Sequence, residues 1–213
     1  MRSGGIAFPR RIMSDKEWKM ILRIDHVSLA VKDFRKAAEF FCDILGAVPC
    51  AAATDDAMKY LWQIFALGDL SRLEIIAPTG DGSFLDQFLE ERKGVHHITL
   101  QTEDLAQTMR FLEERGIPFF GHFEWPGGEW KEIFIHPRDA FGVLVQIAEF
   151  NADDFIAEKL KLAGGKKWSV KGHGDSADLV FTHPGGGTAR VSMDKEEVQR
   201  LIDDLKDTLQ ALS

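Results

Sequence analysis

The sequence predicts an α+β fold: two tandem βαβββ modules meeting at a central site, followed by a small α/β extension. Three observations predict it. Ile24-Asp25-His26-Val27-Ser28-Leu29-Ala30-Val31 is echoed by Val95-His96-His97-Ile98-Thr99-Leu100-Gln101-Thr102, an offset of 71 residues. Arg72-Leu73-Glu74-Ile75-Ile76-Ala77 is echoed by Leu144-Val145-Gln146-Ile147-Ala148, an offset of 72 from Glu74 to Gln146. Two separate matches at nearly one offset indicate a duplicated unit. The third observation is a composition shift after Phe150, which places the modules at about 22–78 and 94–150 within a domain of 22–150 and the extension at 151–213.

The elements follow in order. Residues 1–21 read as a leader without targeting function, ending in a short helix for which Ser14 and Glu17 have capping-box spacing. A strand at about 22–31 alternates Ile24, Val27, Leu29 and Val31 with small or polar residues. Asp33 caps a helix whose Phe34, Ala37, Ala38, Phe41 and Leu45 share a face, and Gly46 ends it. Strands follow at about 47–53, 58–67 and 71–77, closed by Pro78-Thr79-Gly80. Phe84, Leu85, Phe88 and Leu89 mark a short amphipathic helix within the connector 81–93.

The second module repeats the plan. A strand at 95–102 leads to a helix capped by Asp104 and ended by Gly116, then to strands at about 117–123, 130–136 and 142–149. In the extension, 151–163 reads as helix. Strands at about 177–182 and 188–192 flank the turn His183-Pro184-Gly185-Gly186-Gly187. Asp194 and Glu197 have capping-box spacing before a helix carrying Val198, Leu201, Ile202, Leu205 and Leu209 on one face. This extension is expected to pack on the core or to mediate a homodimer.

Bulk properties exclude several classes. The net charge of −8, from 26 basic and 34 acidic residues, argues against a nucleic-acid partner. No apolar run reaches 18 residues, so no membrane partner is expected. Two cysteines, Cys42 and Cys50, form no disulfide framework. Cys42 reads as a buried small hydrophobe, and a cytoplasmic location fits.

Strand alternation places His26 with Ser28 and Ala30, and His97 with Thr99 and Gln101, opposite the faces that pack on the helices. Glu74 opposes Leu73 and Ile75; Gln146 opposes Val145 and Ile147. An acid and an amide in otherwise apolar strands are costly to bury unsatisfied. One divalent metal ion would satisfy all four of His26, His97, Glu74 and Gln146. The mixed N/O set suits Zn²⁺, Co²⁺, Ni²⁺, Mn²⁺ or Fe²⁺ with positions left for substrate. His136 reads as a turn-stabilising residue, the charges of the 122–129 loop as exposed, and Gly185-Gly186-Gly187 as a hairpin turn rather than a phosphate loop.

Asp25-His26-Val27-Ser28-Leu29-Ala30-Val31, Gly94-Val95-His96-His97-Ile98 and Ile135-His136-Pro137-Arg138-Asp139 through Gly142-Val143-Leu144-Val145-Gln146 resemble the vicinal oxygen chelate superfamily, and within it most resemble the methylmalonyl-CoA epimerases. The resemblance covers about 22–150. It implies paired modules forming a cupped mixed sheet around a divalent metal that chelates two neighbouring substrate oxygens and stabilises an enolate. It carries the ligand roles onto His26, Glu74, His97 and Gln146. The chain departs from the pattern where the final strand normally supplies a carboxylate, and where the first module's base would fall near Asp56–Met58.

The expected function is therefore that of a metal-dependent isomerase or lyase, epimerase-like or glyoxalase-like, acting on a small carbonyl or acyl-thioester substrate. Glu74, with Asp55 or Asp56, would move the proton. The alternatives are an Fe²⁺ extradiol-type dioxygenase and a non-catalytic protein binding a small drug-like ligand. In the latter, Phe65, Phe119, Phe120, Phe123, Trp125 and Trp130 would line the cup.

Overall fold

The structure is a computed structural model describing residues 20–212. The expected leader, with its Ser14/Glu17 cap, lies almost wholly outside these described residues. The first module comprises β1 (Arg23–Ala30), α1 (Phe34–Glu39), β2 (Val48–Asp55), β3 (Tyr60–Ala66) and β4 (Arg72–Pro78). After a connector containing α2 (Asp86–Glu91), the second comprises β5 (Gly94–Thr102), α3 (Leu105–Glu114), β6 (Phe120–Glu124), β7 (Trp130–Ile135) and β8 (Leu144–Phe150).

The eight strands form one curled sheet in the order β2-β3-β4-β1-β5-β8-β7-β6. β1 and β5 pair antiparallel at its centre, each beside its own module's last strand in parallel. The register repeats with the sequence offset: Ser28 lies opposite Glu74, and Thr99 opposite Gln146. The duplication read from sequence is thus a pseudo-two-fold axis between β1 and β5.

The two faces of the sheet differ. On one, α1 residues Phe34, Ala37 and Ala38 pack on Phe65 and Ile75, and α3 residues Leu105 and Leu112 pack on Ile133 and Ile147. Both helices begin where predicted, with Asp33 and Asp104 accepting from the backbone N–H groups of Lys36 and Gln107. The other face carries His26, Glu74, His97 and Gln146. One end of it is covered by α2 through Leu85 and Leu89, the other by Phe155 against Trp62, Trp125, Trp130 and Phe150.

Three details differ from expectation. The α1 helix continues as a π-helical turn, Phe40–Ile44, with Leu45 N–H bonding Phe40 C=O. The extra residue in the turn rotates Leu45 off the core face, leaving it 57% exposed. Cys42 packs at the margin of that core without being fully buried. Segment 151–163 is not a helix but short 3-10 turns, Ala152–Phe155, Glu158–Leu160 and Ala163–Gly165, because Asn151 bonds forward to Asp153 N–H and Gly164 takes a left-handed φ of 69°. The extension also gains a strand: β9 (Trp168–His173), β10 (Ser176–Thr182) and β11 (Thr188–Asp194) form a separate sheet in the order β11-β10-β9. Helix α4 (Lys195–Ala211) follows, with both bonds of its predicted capping box made.

Candidate metal centre and active site

Adjacent strands bring three ligand atoms to one point. The donor atoms of His26, Glu74 and His97 all lie within 4.8 Å of one another. Glu74 Oε2 stands 3.7 Å from His26 Nε2 and 3.5 Å from His97 Nε2. Three atoms about 2.0–2.2 Å from a common ion stand roughly 3–4 Å apart, so this trio needs little closure. Glu74 Oε2 and His97 Nε2 are buried yet have no hydrogen-bond partner. Each such orphan costs about 1–3 kcal/mol, more for a charged group. Two buried, unpartnered acceptors beside the His26 imidazole fit a cation.

Neighbouring residues aim both imidazoles. His26 Nδ1 lies 2.7 Å from Asp25 Oδ2, which holds the Nδ1–H tautomer and turns the Nε2 lone pair inward. Asp25 is itself held by Arg23 and Arg72. Burial alone would raise its carboxyl, but the bond from His26 and the charges of Arg72 and Arg23 outweigh burial and hold it below the ordinary range. His97 Nδ1 lies 2.9 Å from His96 Nδ1, which leaves Nε2 directed at Glu74. His96 points away from the trio, as alternation requires, with its ring against Phe84 and Phe88. Burial, reinforced by the neighbouring His26 and His96, pushes His97 well below the usual histidine range, so its imidazole is neutral and available as a ligand at pH 7.

Gln146 lies on the same face but is engaged differently. Its Oε1 accepts from Thr99 Oγ1, and its Nε2 donates to Glu132 Oε2 at 2.6 Å. Thr99 Oγ1 also reaches His26 Nε2 at 2.8 Å. Ser28, the pseudo-symmetric counterpart of Thr99, has a buried hydroxyl without a partner.

Glu132 went unremarked in the sequence. It sits on β7, where Trp130, Glu132 and Phe134 alternate with the core-facing Ile133 and Ile135. It accepts from Trp130 Nε1 and from Gln146. Burial raises its carboxyl above the usual range, the two hydrogen bonds opposing and the Glu74 charge adding to the rise. The signal was available: a lone acid at period two in an apolar strand, 14 residues before Gln146. Its counterpart on β3 is Trp62, since Trp62 pairs with Ile76 as Glu132 pairs with Ala148.

Asp56 lies exposed in the turn between β2 and β3, and Asp55 accepts from Met58 N–H in the same turn; neither belongs to the trio. Of the aromatics expected to line the cup, Trp125 and Trp130 do face it. Phe65 and Phe119 are instead part of the helix-side core, because they sit at the opposite parity, and Phe120 and Phe123 are about half exposed. His136 stabilises its turn, accepting from Arg138 N–H. No helix among the described residues is long and apolar enough to cross a membrane.

The chain is similar to a described family and to several named proteins. The family described as the Glyoxalase/Bleomycin resistance protein/Dioxygenase superfamily matches residues 25–134. An ethylmalonyl-CoA/methylmalonyl-CoA epimerase of Cereibacter sphaeroides is 34% identical over 134 residues, which is 61% of this chain and 99% of that protein. The human mitochondrial methylmalonyl-CoA epimerase is 32% identical over 130 residues, 60% of this chain and 73% of that protein. A crystal structure of methylmalonyl-CoA epimerase from Mycobacterium tuberculosis superposes with a TM-score of 0.56 at 27% identity, covering 62% of this chain and 89% of that one.

Proposed function

The chain belongs to the glyoxalase/bleomycin resistance/dioxygenase superfamily, and from that premise we propose that it is a divalent-metal-dependent epimerase acting at the α-carbon of a methylmalonyl-type acyl-CoA. The observation that carries this reading is a pair of carboxylates, the buried Glu74 on β4 and the partly buried Glu132 on β7, contributed by opposite modules to the face that holds His26 and His97. An epimerase needs a proton acceptor on one side of the α-carbon and a donor on the other. The relatives named above as epimerases support the same class.

His26, His97 and Glu74 would hold the metal, with the Gln146 carbonyl oxygen as a fourth donor. The chemistry supplied by a divalent ion so held is Lewis-acid stabilisation of negative charge on a substrate carbonyl oxygen. Asp25 and His96 hold the two imidazoles in the ligating tautomer. Glu132 replaces Asp56 as the second proton-transfer group. Burial favours its protonated form, so it can deliver a proton to one face of the planar α-carbon while Glu74 takes the proton from the other. Gln146, hydrogen-bonded to Glu132, keeps that carboxyl oriented.

The test is deuterium wash-in from D₂O at the α-carbon of methylmalonyl-CoA, with metal supplied. The wild type should exchange both epimers. Glu132→Gln should suppress interconversion by about 10²–10⁴-fold while leaving wash-in to the epimer that Glu74 addresses. Equal loss of both processes in Glu132→Gln would remove it from proton transfer. No exchange by the metal-replete wild type would sink the epimerase reading.

A further inference from the structure

Besides Phe155, which covers one end of the cup, the C-terminal extension reaches the residues behind the candidate metal centre through one turn. Gly185, Gly186 and Gly187, between β10 and β11, are buried. The turn is closed by His183, whose Nδ1 accepts from Gly185 N–H at 2.8 Å and whose backbone N–H donates to Gly187 C=O at 2.7 Å. It is anchored to the first 3-10 turn, Ala152–Phe155, by Gly187 N–H donating to Asp153 Oδ1 at 2.9 Å. A Cβ on Gly186 would stand 2.7 Å from Ala152 C=O oxygen, and one on Gly187 3.0 Å from that of Leu160. The absence of side chains therefore lets the turn press against the 3-10 turns that open the extension.

It also presses on the group of residues behind His26. A Cβ on Gly185 would overlap Arg23 Nη1. Arg23 cannot simply swing away. Its Nε donates to Gln101 Oε1 at 2.7 Å, and its Nη2 pairs with Asp25. Asp25 receives Arg72 on the same oxygen and His26 Nδ1 on the other. Leu70, two residues before Arg72 and four before Glu74, is buried in a left-handed backbone conformation (φ 64°), with its side chain 3.4 Å from where a Gly187 Cβ would lie. Such a φ on a branched-chain residue persists only where packing holds it. One turn thus touches the start of β1 and the approach to β4, the two strands that carry His26 and Glu74.

We propose that the 183–187 turn is a positioning element for the metal centre. It locks the Arg23–Asp25–His26 relay, so that the extension is a working part of the site rather than an appended module. The proposal rests on the metal-centre reading above, and its test separates the two. Gly185 does not have a left-handed φ, so Gly185→Ala adds no backbone strain and acts through contacts alone, with Arg23 Nη1 and with the His183 ring. Gly172, on β9 with nothing near its missing Cβ, supplies the control Gly172→Ala.

Two readouts are taken on the full chain. Long-range ¹⁵N–¹H correlation in metal-free protein reports the His26 tautomer, and Co²⁺ titration reports affinity. Gly185→Ala should depopulate the Nδ1–H tautomer of His26 and weaken Co²⁺ binding on the order of 10–100-fold, the usual effect of disturbing a group that orients a ligand. Gly172→Ala should leave both unchanged. Should Gly185→Ala fail to fold, Arg23→Met must reproduce the tautomer change, since it breaks the same relay without touching the turn. An unchanged His26 tautomer in Gly185→Ala or, where that variant does not fold, in Arg23→Met overturns the proposal, as does an equal effect of Gly172→Ala. A wild type that binds no Co²⁺ refutes the metal reading, and the tautomer comparison then still decides whether the turn positions His26.

Discussion

His26 joins two networks, the Arg23–Asp25–Arg72 ion cluster behind it and the Glu74–His97 pair in front. His26→Ala should weaken metal binding by at least about 100-fold. It should also lower stability by roughly 1–3 kcal/mol, because Asp25 loses a buried partner. Isothermal titration with Zn²⁺ and a urea melt check the two effects, and the fold should survive because the helix-side core is built on the opposite strand face. Gln146 teaches a different lesson. The family resemblance invites Gln146→Glu as the return of a carboxylate. Yet Gln146 Nε2 donates to Glu132 at 2.6 Å, so the substitution would set two acids against each other. Their folded-state pKa values would rise, and the variant's stability deficit should grow as pH is raised through them. Urea unfolding at pH 5 and pH 8 tests this; equal deficits at both would refute it.

Among the elements, β5 carries the pH sensitivity. His96 is lowered to about 4 by burial and by the nearby Arg92, and His97 is lowered by burial. Both depressed values mean that the unfolded chain binds these protons first. Stability is complete above the ordinary histidine pKa of about 6.5 and is lost as pH falls towards 4. His96→Phe should flatten that decline in metal-free protein, measured as unfolding midpoints at pH 7, 5.5 and 4.5. The α4 helix poses the opposite problem. Its cap is complete, but its apolar stripe is largely solvent-facing, with Leu205 59% and Leu209 73% exposed. Little burial holds this helix, so Asp194→Ala should cost about 1 kcal/mol and be seen as fraying of 195–211 in hydrogen exchange.

At the scale of the whole molecule, the central seam between β1 and β5 joins the modules and also assembles the site. Its cost is the unpartnered Glu74 and His97 atoms. Metal binding should therefore stabilise the whole domain. At a free metal concentration of 100 times Kd the gain is about 2.7 kcal/mol, and chelator should reverse it. A thermal melt of the full chain with and without Zn²⁺ or Co²⁺ checks this. No shift with any divalent ion would refute the metal centre.

By itself, the sequence determined the two modules, the pairing of His26 with His97 and of Glu74 with Gln146, and the caps at Asp33, Asp104 and Asp194. Each of these rests on local period and spacing, which survive without tertiary context. Only the tertiary structure decided what lies across strands. It turned Gln146 towards Glu132, left Asp56 in an exposed turn, wound 151–163 into 3-10 turns over the cup, and pressed the glycine turn against Arg23. The Gln146–Glu132 bond and the contact of the glycine turn with Arg23 join residues 14 and 162 positions apart. No period within a strand encodes them; burial and register do.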